Sequence, residues 1–420
     1  MTADFEAYYG LPREVRFCTK CVISNQRPNS SVEFRHTRDS RKETIAFDQE
    51  GVCDACKVAE RKRGIDWVQR ETELKELCNR YRRTDGRYDC LVPGSGGKDS
   101  FYAAHQLKFV YGMHPLTVTW APHVYTDWGL KNHHAWIHAG FDNILVTPNG
   151  RVHRLLTRLA VENLLHPFQP FILGQKQLAP KMALHFDLPL VFYGENEAEY
   201  GNPLEDTAQA HRDYKYFSNA NPDEVFLGGT SLADLVGKLG VDRVELDMYM
   251  PPNPEELSKR QVEVHYLGHY LKWHPQACYY YAVEHGGFQP SPERTPGTYS
   301  KYNSIDDRID DFHYFTTWIK FGIGRATYDA AQEIRSGDIT RDEGVALVRR
   351  FDGEFPERFA DEIFRYLSIG EREFPKAHKH FSEPVMSKES FLRLCDNFRS
   401  PHLWRKDADG WHLRHTVFSP

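Results

Sequence analysis

An apolar run, YDCLVPG, leads directly into the hexapeptide SGGKDS at residues 95–100, and a segment with helical periodicity follows it. Glycines at a strand-to-helix junction let the backbone approach a ligand closely. The N-terminus of a helix adds free amide groups and positive dipole potential, which attract an anion. The sequence therefore predicts a phosphate-binding loop here, in preference to a glycine-rich turn capped by Ser and Asp.

Two kinds of segment alternate around this loop. Short runs rich in Val, Ile, Leu and Tyr (LTVTWAP, NILVTP, LPLVFYG) are separated by longer runs with helical periodicity. This alternation is typical of βαβ units around a parallel sheet. We predict an α/β protein whose central parallel-sheet domain spans residues 88–250. A charged helical connector over 61–87 precedes it, and a mainly helical substrate or assembly region over 251–420 follows it.

Four of the eight cysteines form two CxxC pairs, Cys18 with Cys21 and Cys53 with Cys56. In a reducing compartment such pairs are typical of metal sites rather than disulfides. Two turns brought together place four thiolates around one ion, which is the shell of structural zinc. We predict a zinc-ribbon-like module over residues 1–60. Unliganded thiols, a redox pair and an iron–sulfur cluster remain as alternatives.

Composition excludes several classes of protein. The chain has 420 residues, of which 40% are hydrophobic and 27% are charged, so it is globular rather than disordered. Its 53 Lys+Arg and 59 Asp+Glu residues give a net charge of -6, and nucleic acid is therefore not expected as a partner. The sequence contains neither an apolar stretch of roughly 18 residues nor a basic and apolar leader. We expect a cytoplasmic protein without a membrane partner.

The hexapeptide differs from two common phosphate-binding motifs. Asp99 stands where a Walker A loop has Ser or Thr, Val92 stands at the first glycine of that motif, and the glycine spacing of a dinucleotide fingerprint is absent. S-G-G-x-D-S instead resembles the PP-loop of the ATP pyrophosphatase superfamily, which has a HUP-like parallel sheet and cleaves ATP to AMP and pyrophosphate. The resemblance assigns the ATP phosphates to Ser95, Gly96, Gly97, Lys98, Asp99 and Ser100. It further implies that Lys98 neutralises charge and that Asp99 contacts Mg2+.

Longer strings extend the resemblance over about residues 14–404. CTKCVISNQRP, FDQEGVCDAC, TWAPHVYTDWGLKN, PLVFYGENEAEYGN and YNSIDDRIDDFHYFTTWIKFGIGR are similar to the N-acetyl sugar amidotransferase family. Its members are associated with bacterial surface glycans, such as pseudaminic acid and the diacetamido uronic acids of O-antigen. The resemblance implies that ATP activates a sugar N-acetyl group as an adenylated imidate. Ammonia then replaces AMP and leaves an acetamidino group.

This reaction needs a source of ammonia. No cysteine lies in a G-x-C-x-G elbow and residue 2 is Thr, so neither type of glutaminase nucleophile is present in the sequence. The resemblance implies that a separate glutaminase subunit delivers ammonia, with a synthase-like channel partner in O-antigen systems. It leaves oligomer formation open.

Two other functions remain as alternatives. Enzymes of tRNA thiolation also combine CxxC pairs with a PP-loop, but only Cys278 and Cys395 lie downstream of this loop and neither belongs to a CxxC pair. The other alternative is a non-catalytic zinc-ribbon scaffold that senses nucleotide and recruits a glutaminase. The retained Asp99 argues against the scaffold, because nucleotide sensing alone does not require this carboxylate.

The end of the second predicted strand supplies further nucleotide candidates. In the resembled fold, adenine and ribose bind at this strand end and at the turn that follows. The candidates are Thr119, Trp120, Ala121 and Asp127, with Thr126 and Asn132 as weaker ones. Trp120 has a competing interpretation as a core residue, because strand aromatics usually pack inside the protein.

The carboxyl end of the strand LPLVFYG supplies substrate candidates, because ligands of open α/β sheets bind there. Glu195 is predicted as a catalytic residue together with Lys98 and Asp99, while Asn196 and Glu199 are predicted to contact the sugar. The segment 196–230 is a candidate lid.

The C-terminal region adds two cations and an acidic group. Lys320 and Arg325 flank glycines and are predicted to meet a carboxylate or phosphate of the substrate. Four carboxylates have the spacing of one helical stripe, which pairs with Lys or Arg more often than it binds a metal. They are Asp306, Asp307, Asp310 and Asp311.

Overall fold

Four short apolar runs and the segment EVHY form one parallel sheet in the computed structural model, which describes residues 5–195, 202 and 209–419. The strands of this sheet are β1 (Cys90–Pro93), β2 (Pro115–Trp120), β3 (Asn143–Val146), β4 (Leu190–Tyr193) and β7 (Glu263–Tyr266). Two small hairpins lie outside it and consist of β5 (Phe226–Leu227) with β6 (Thr230–Ser231) and of β8 (Trp404–Asp407) with β9 (Gly410–Leu413). The predicted α/β class is confirmed.

The order of the large sheet is β3-β2-β1-β4-β7, and each neighbouring pair is parallel. The chain moves outward from β1 through β2 to β3, and then returns to the other side of β1 to form β4. Where the order reverses in this way, successive crossovers leave on opposite faces and open a crevice at the carboxyl ends of the strands. The loop after β1 and Gly194 after β4 both border this crevice.

Helices cover both faces of the sheet, so all residues of β1 and β2 are buried. Before and within the sheet they are α1 (Asp54–Lys62), α2 (Trp67–Tyr81), α3 (Lys98–His105), α4 (Asp127–His138), α5 (Gly150–Leu164), α6 (Gln169–Phe186), α7 (Leu232–Gly237) and α8 (Pro254–Lys259). Beyond β7 they are α9 (Leu267–Tyr270), α10 (Pro275–Gly286), α11 (Asp310–Phe321), α12 (Arg325–Ser336), α13 (Arg341–Phe351), α14 (Ala360–Leu367), α15 (Pro375–His380) and α16 (Lys388–Asp396). In the part of the chain that the structure describes, none of the helices is long and apolar enough to cross a membrane.

The N-terminal cysteine module shares its hydrophobic core with the C-terminal helices. Val22 and Ile23 pack in one cluster with Ala330 of α12, Val348 of α13 and Trp404 of β8. Arg341 also donates hydrogen bonds to the carbonyl oxygens of Cys21 and Cys18, at 3.2 and 3.3 Å. The two ends of the chain therefore fold against each other.

One predicted boundary needs a correction. The central domain was expected to end at residue 250, but β7 pairs with β4 and lies within the predicted helical region. The run EVHY is short and is flanked by charged and aromatic residues, so its own pattern does not separate it from the helical segments that follow. The other domain boundaries remain predictions.

Candidate functional site

The loop after β1 turns tightly into α3. Gly96 has a φ of +86°, a conformation that favours glycine, and a β carbon there would stand 2.7 Å from the backbone oxygen of Asn132. Gly97 is the N-cap of α3, and the Ser100 hydroxyl donates to its carbonyl oxygen at 3.1 Å. The first turn of α3, with its amides and positive dipole end, therefore lies at the crevice.

Lys98 and Asp99 form a close ion pair in this turn, with 2.6 Å between Nζ and Oδ2. Burial alone would lower the pKa of Lys98, but the carboxylates of Asp99 and Glu195 outweigh it and raise that pKa. The second carboxylate oxygen of Asp99, Oδ1, is buried and has no hydrogen-bond partner among the described residues. An oxygen donor with spare capacity beside a phosphate loop fits Mg2+.

One cavity of about 630 Å3 opens on the loop, which is large enough for a nucleotide or a sugar. Gly194 and Glu195 at the end of β4 border it, so Lys98, Asp99 and Glu195 surround one space. The opposite walls come from distant parts of the chain. Arg27 and Ser30 of the cysteine module, Lys176 of α6, and α11 and α12 form these walls.

The segment before α11 brings a carboxylate to the loop. It lies on the β2–α4 turn, where Thr126 N donates to the Asp306 carbonyl oxygen at 3.0 Å and Tyr125 and Asp307 form an antiparallel bridge. A β carbon on Gly129 would stand 2.5 Å from the Asp306 Cα, so only glycine permits this approach. Burial raises the pKa of Asp306, while a hydrogen bond with Ser95 of the loop opposes the shift.

The predicted four-residue acidic stripe is not formed, because α11 begins only at Asp310. Asp307 accepts hydrogen bonds from the backbone amides of His123 at 2.7 Å and Ile309 at 3.0 Å, and such bonds compete with helix formation. Of the two residues inside the helix, Asp311 pairs with Arg358 at 3.0 Å and faces away from the loop cavity. Asp310 lines the cavity.

Arg325 lies in the cavity wall, at the start of α12. Its Nη1 is 3.3 Å from Asp310 Oδ2, and its Nη2 donates to the Asn303 carbonyl oxygen at 2.7 Å. The guanidinium lies 4.0 Å from the centre of the Tyr314 ring. Burial opposes its charge, but Tyr314 and the neighbouring carboxylates raise the pKa of Arg325. The cation is therefore fixed in the wall of the loop cavity.

Lys320 is a correction to the predicted pair of cations. His313 and Thr317 of α11 line the loop cavity, but Lys320, one turn further along, does not. Its Nζ donates to the carbonyl oxygen of Leu164 at 2.7 Å, and its side chain lines a second cavity. The glycines beside Lys320 and Arg325 predict one site for both side chains. In the structure the C-terminal end of α11 carries Lys320 away from the loop cavity.

The end of β2 does not supply the predicted nucleotide contacts. Thr119, Trp120 and Ala121 are buried and do not line the loop cavity. The Trp120 indole packs under α6, where a β carbon on Gly174 would stand 2.0 Å from its Cε2 atom. The centres of the Trp120 and Tyr249 rings are 5.4 Å apart. The competing interpretation of Trp120 as a core residue is correct, because α6 covers this strand.

The candidates in and before α4 have different positions. Asp127 is exposed, lies 3.6 Å from Arg308 and does not line the cavity. Thr126 accepts a hydrogen bond from Gly129 N as the N-cap of α4. Asn132 lines the cavity, but its amide group is bonded to the backbone of Gln289 at 2.9 and 2.8 Å. Asn196, Glu199 and much of the candidate lid lie outside the described residues.

Sequence analysis missed several residues of the cavity. Arg27 and Ser30 belong to a stretch with the composition of a polar loop, and Lys176 and Arg335 belong to helices inside strings that are similar to the family. Ser30 N donates to Asn202 Oδ1 at 2.9 Å, which joins the cysteine module to the segment after β4. The signal for Arg27 was its position in CTKCVISNQRP, one of the strings that carried the family resemblance.

The four cysteines lie together and are buried. Their Sγ atoms are all within 4.8 Å of one another, and the Cys18–Cys56 and Cys21–Cys53 distances are both 3.8 Å. A tetrahedral ion with metal–sulfur bonds of about 2.3 Å would hold its ligands about 3.8 Å apart. Backbone amides of Lys20 and Cys53 donate to Cys18 Sγ at 3.4 Å, which suits a thiolate. The cluster could therefore hold one metal ion such as zinc, and the spacing favours a single ion over a larger iron–sulfur cluster.

Residues 296–417 match the family model described as LPS biosynthesis protein WbpG-like, C-terminal domain. The matched segment contains three residues of the cavity wall, Asp306 before α11, Asp310 in α11 and Arg325 in α12. No curated protein matches the chain. The C-terminal part of this protein is therefore similar to a domain of lipopolysaccharide biosynthesis proteins, which supports a role in glycan biosynthesis.

Proposed function

We propose that this protein is an ATP-dependent amidotransferase that converts a sugar N-acetyl group into an acetamidino group. The pathway would be bacterial surface-glycan biosynthesis, with a pseudaminic-acid-type nonulosonate or an O-antigen sugar as substrate. The observation that carries the proposal is a single cavity bounded by the SGGKDS loop and by the segment that matches the lipopolysaccharide domain.

The loop is the element that would bind the ATP phosphates, through the amides at the start of α3 and the charge of Lys98. Asp99 is the residue that would hold Mg2+, because its Oδ1 has no partner among the described residues. When bound, this ion would neutralise charge on the phosphates. The reversal of strand order beside the loop supports this assignment, because such a crevice is a common ligand site.

The chemistry has two steps. The acetamido oxygen attacks the α-phosphorus of ATP, a P–O bond forms, and pyrophosphate leaves. Ammonia then attacks the imidate carbon, a proton is lost from nitrogen, and the C–O bond to AMP breaks. Both steps depend on positioning and on stabilisation of charge at phosphorus, so a loop with fixed dipoles and a cation suffices.

Glu195 is suited to orient ammonia or a sugar hydroxyl. It follows β4 directly, borders the same cavity as the loop, and its charge acts on Lys98. On the opposite wall Asp310 and Asp329 pair with Arg325, while Arg27, Lys176 and Arg335 add cations that would suit an acidic or nucleotide-linked sugar. Ammonia would come from a separate glutaminase subunit, and the cysteine module with its metal would hold Arg27 in place.

The test is mass spectrometry of reactions that contain purified protein, ATP, Mg2+ and ammonium salt. The substrates to compare are diacetamido nonulosonates, nucleotide-linked diacetamido uronates and plain N-acetylhexosamines. We expect a product with NH in place of O, formed together with AMP. Asp99→Asn should reduce AMP formation on the order of 100-fold or more. The matched control, Asp127→Asn, removes an exposed carboxylate at a helix start outside the cavity and should retain activity.

Three outcomes would contradict the proposal. AMP formation that requires bulk tRNA and leaves every sugar unchanged would support the thiolation alternative. An Asp99→Asn protein with full activity would exclude the assigned role of the loop. A wild-type protein that binds a glutaminase but neither cleaves ATP nor changes any sugar in its presence would support the scaffold.

A further inference from the structure

A second cavity lies at the opposite end of α11, between the N-terminal segment and the end of α5. Its volume is about 770 Å3. Among the residues that the structure describes, five cationic side chains line it against two acidic ones. The cations are Arg13, Arg38, Arg41, Lys42 and Lys320, and the acids are Glu6 and Asp39.

Lys320 lies at the base of this cavity and is 5% exposed. Its Nζ donates to the Leu164 carbonyl oxygen at 2.7 Å and lies 5.0 Å from the centre of the Tyr9 ring. Lys42 lines the same space, and its Nζ donates to the Ser31 hydroxyl at 2.8 Å. The carboxylate of Glu33 acts on both lysines, but it forms no ion pair with either of them among the described residues. A buried ammonium without a close counter-charge is costly, and an anion in the cavity would offset that cost.

The walls of the cavity are tied together by specific contacts. Tyr9 has a φ of 59°, which is uncommon for a residue other than glycine. Its carbonyl oxygen accepts from Lys42 N at 2.7 Å, and its hydroxyl donates to the Phe398 carbonyl oxygen at 2.8 Å. The loop that carries Arg38, Arg41 and Lys42 is therefore joined at Lys42 to the base of the cavity.

Burial and the surrounding groups determine the pKa of Lys320. Burial and the nearby Lys42 lower the pKa of Lys320 to about 7, and Glu33 opposes the shift. Tyr9 and His36 also border this space. Burial keeps the pKa of His36 low, at about 4, so His36 adds no charge near neutral pH. Glu33 is the nearby carboxylate, and His36 lies between it and the cavity, with 3.6 Å between Nδ1 and Oε2.

We propose that this second cavity binds a small molecule with a diphosphate group, at a site separate from the loop after β1. Without Arg13, four described cations still face two described acids, which suits an anion with more than one negative charge, and Arg and Lys are the side chains that bind phosphate oxygens. The volume accommodates a free diphosphate or a nucleoside diphosphate. This proposal does not depend on the proposed amidotransferase activity.

The test is calorimetric titration of the full chain with inorganic pyrophosphate and, separately, with ADP. Both titrations are repeated on Lys98→Ala, whose loop has lost its cation, so that binding at the loop is separated from binding in the second cavity. We expect one equivalent of ligand to bind in the second cavity of both proteins. Lys320→Met and Arg41→Gln should each weaken this binding by about tenfold or more, which is about 1.4 kcal/mol. Arg405→Gln, at an exposed arginine of β8, should leave it unchanged.

The titration is also carried out at two pH values. A bound anion raises the pKa of Lys320, so binding at pH 8 should take up a proton that binding at pH 6 does not. The uptake appears as a dependence of the binding heat on buffer, and Lys320→Met should lack it. Pyrophosphate but not ADP as ligand would identify a free-diphosphate site. No binding of either ligand, or equal binding by Lys320→Met, Arg41→Gln and the wild type, would overturn the proposal.

Discussion

A β carbon on Gly194, the residue after β4, would stand 3.1 Å from the carbonyl oxygen of Asp99 in the first turn of α3. The same atom would stand 2.8 Å from Cη2 of Trp273. The first turn of α3, which follows β1, therefore lies so close to the end of β4 that a side chain at residue 194 would not fit. This contact fixes Glu195 relative to the loop.

Gly194→Ala is therefore expected to displace the loop or the indole of Trp273. We expect AMP formation to fall by about tenfold or more, because a shift of about 1 Å in a positioning element has a large kinetic effect. The free energy of unfolding should fall by about 1–3 kcal/mol, as for other overpacked sites. Enzyme assay and urea unfolding of the same preparation measure both quantities.

Gly237→Ala is the matched control, because a β carbon there meets nothing within 4 Å. It should change the unfolding free energy by less than about 1 kcal/mol and leave activity intact. Equal activity of the Gly194→Ala and Gly237→Ala proteins would contradict the role given to the Gly194–Asp99 contact.

Arg325→Lys should separate the charge of this side chain from its geometry. Lysine keeps the cation but loses the fork that reaches both Asp310 and the Asn303 carbonyl oxygen. We expect product formation to fall by about tenfold or more while the fold is retained at a cost of about 2–4 kcal/mol. Arg358→Lys, in the Arg358–Asp311 pair outside the cavity, is the control. A similar loss of activity in both proteins would indicate a stability effect alone.

The sequence was sufficient for features that depend on local pattern. The loop after β1, the alternation of strands and helices, and the CxxC pairs each consist of neighbouring residues, and each has the structure that its pattern predicts. Features that depend on packing were not predictable in this way. Trp120 could be a base contact or a core residue, and only the helix packed over β2 decides between them. Lys320 and Arg325 are five residues apart, yet the end of α11 separates them into two cavities.

The prediction of the acidic stripe was wrong for a related reason. Its spacing is helical, but Asp307 bonds to backbone amides of the β2–α4 turn, and those partners lie far away in the sequence. Arg27 reaches the cavity because the cysteine module packs on the C-terminal helices. No periodicity in a single sequence contains that contact.

His402 should make the stability of the protein fall at acid pH. Its Nε2–H donates to Gln26 Oε1 at 3.1 Å, and its Nδ1 accepts from the Ser400 hydroxyl at 2.6 Å, so the neutral ring joins the two ends of the chain. Burial lowers the pKa of His402 to about 4. Since an unfolded histidine titrates near 6.5, the unfolded state binds more protons at pH 5, and His402 should contribute about 1–2 kcal/mol to the fall in stability between pH 7.5 and pH 5. Other buried histidines with a lowered pKa, such as His36 and His313, add to the same fall.

His402→Gln should reduce this decline by the same amount, and urea unfolding at the two pH values measures it. His138→Gln, at an exposed position of α4, should decline as the wild type does. An unchanged slope in the His402→Gln protein would show that other groups cause the decline.

Loss of the metal should affect the catalytic cavity as well as the cysteine module. We expect about one equivalent of zinc in protein purified without chelator, and none in Cys21→Ser, because three thiolates hold a structural ion poorly. Arg27 and Ser30 lie between the two CxxC pairs and border the cavity, so AMP formation should fall together with the melting temperature.

Cys78→Ser is the control, since Cys78 is buried in α2 away from the cluster and its loss should lower stability without loss of zinc. Full zinc content in Cys21→Ser, or less than one equivalent in the wild type, would contradict the four-cysteine site. Zinc loss with undiminished AMP formation would instead show that the cavity does not depend on the module.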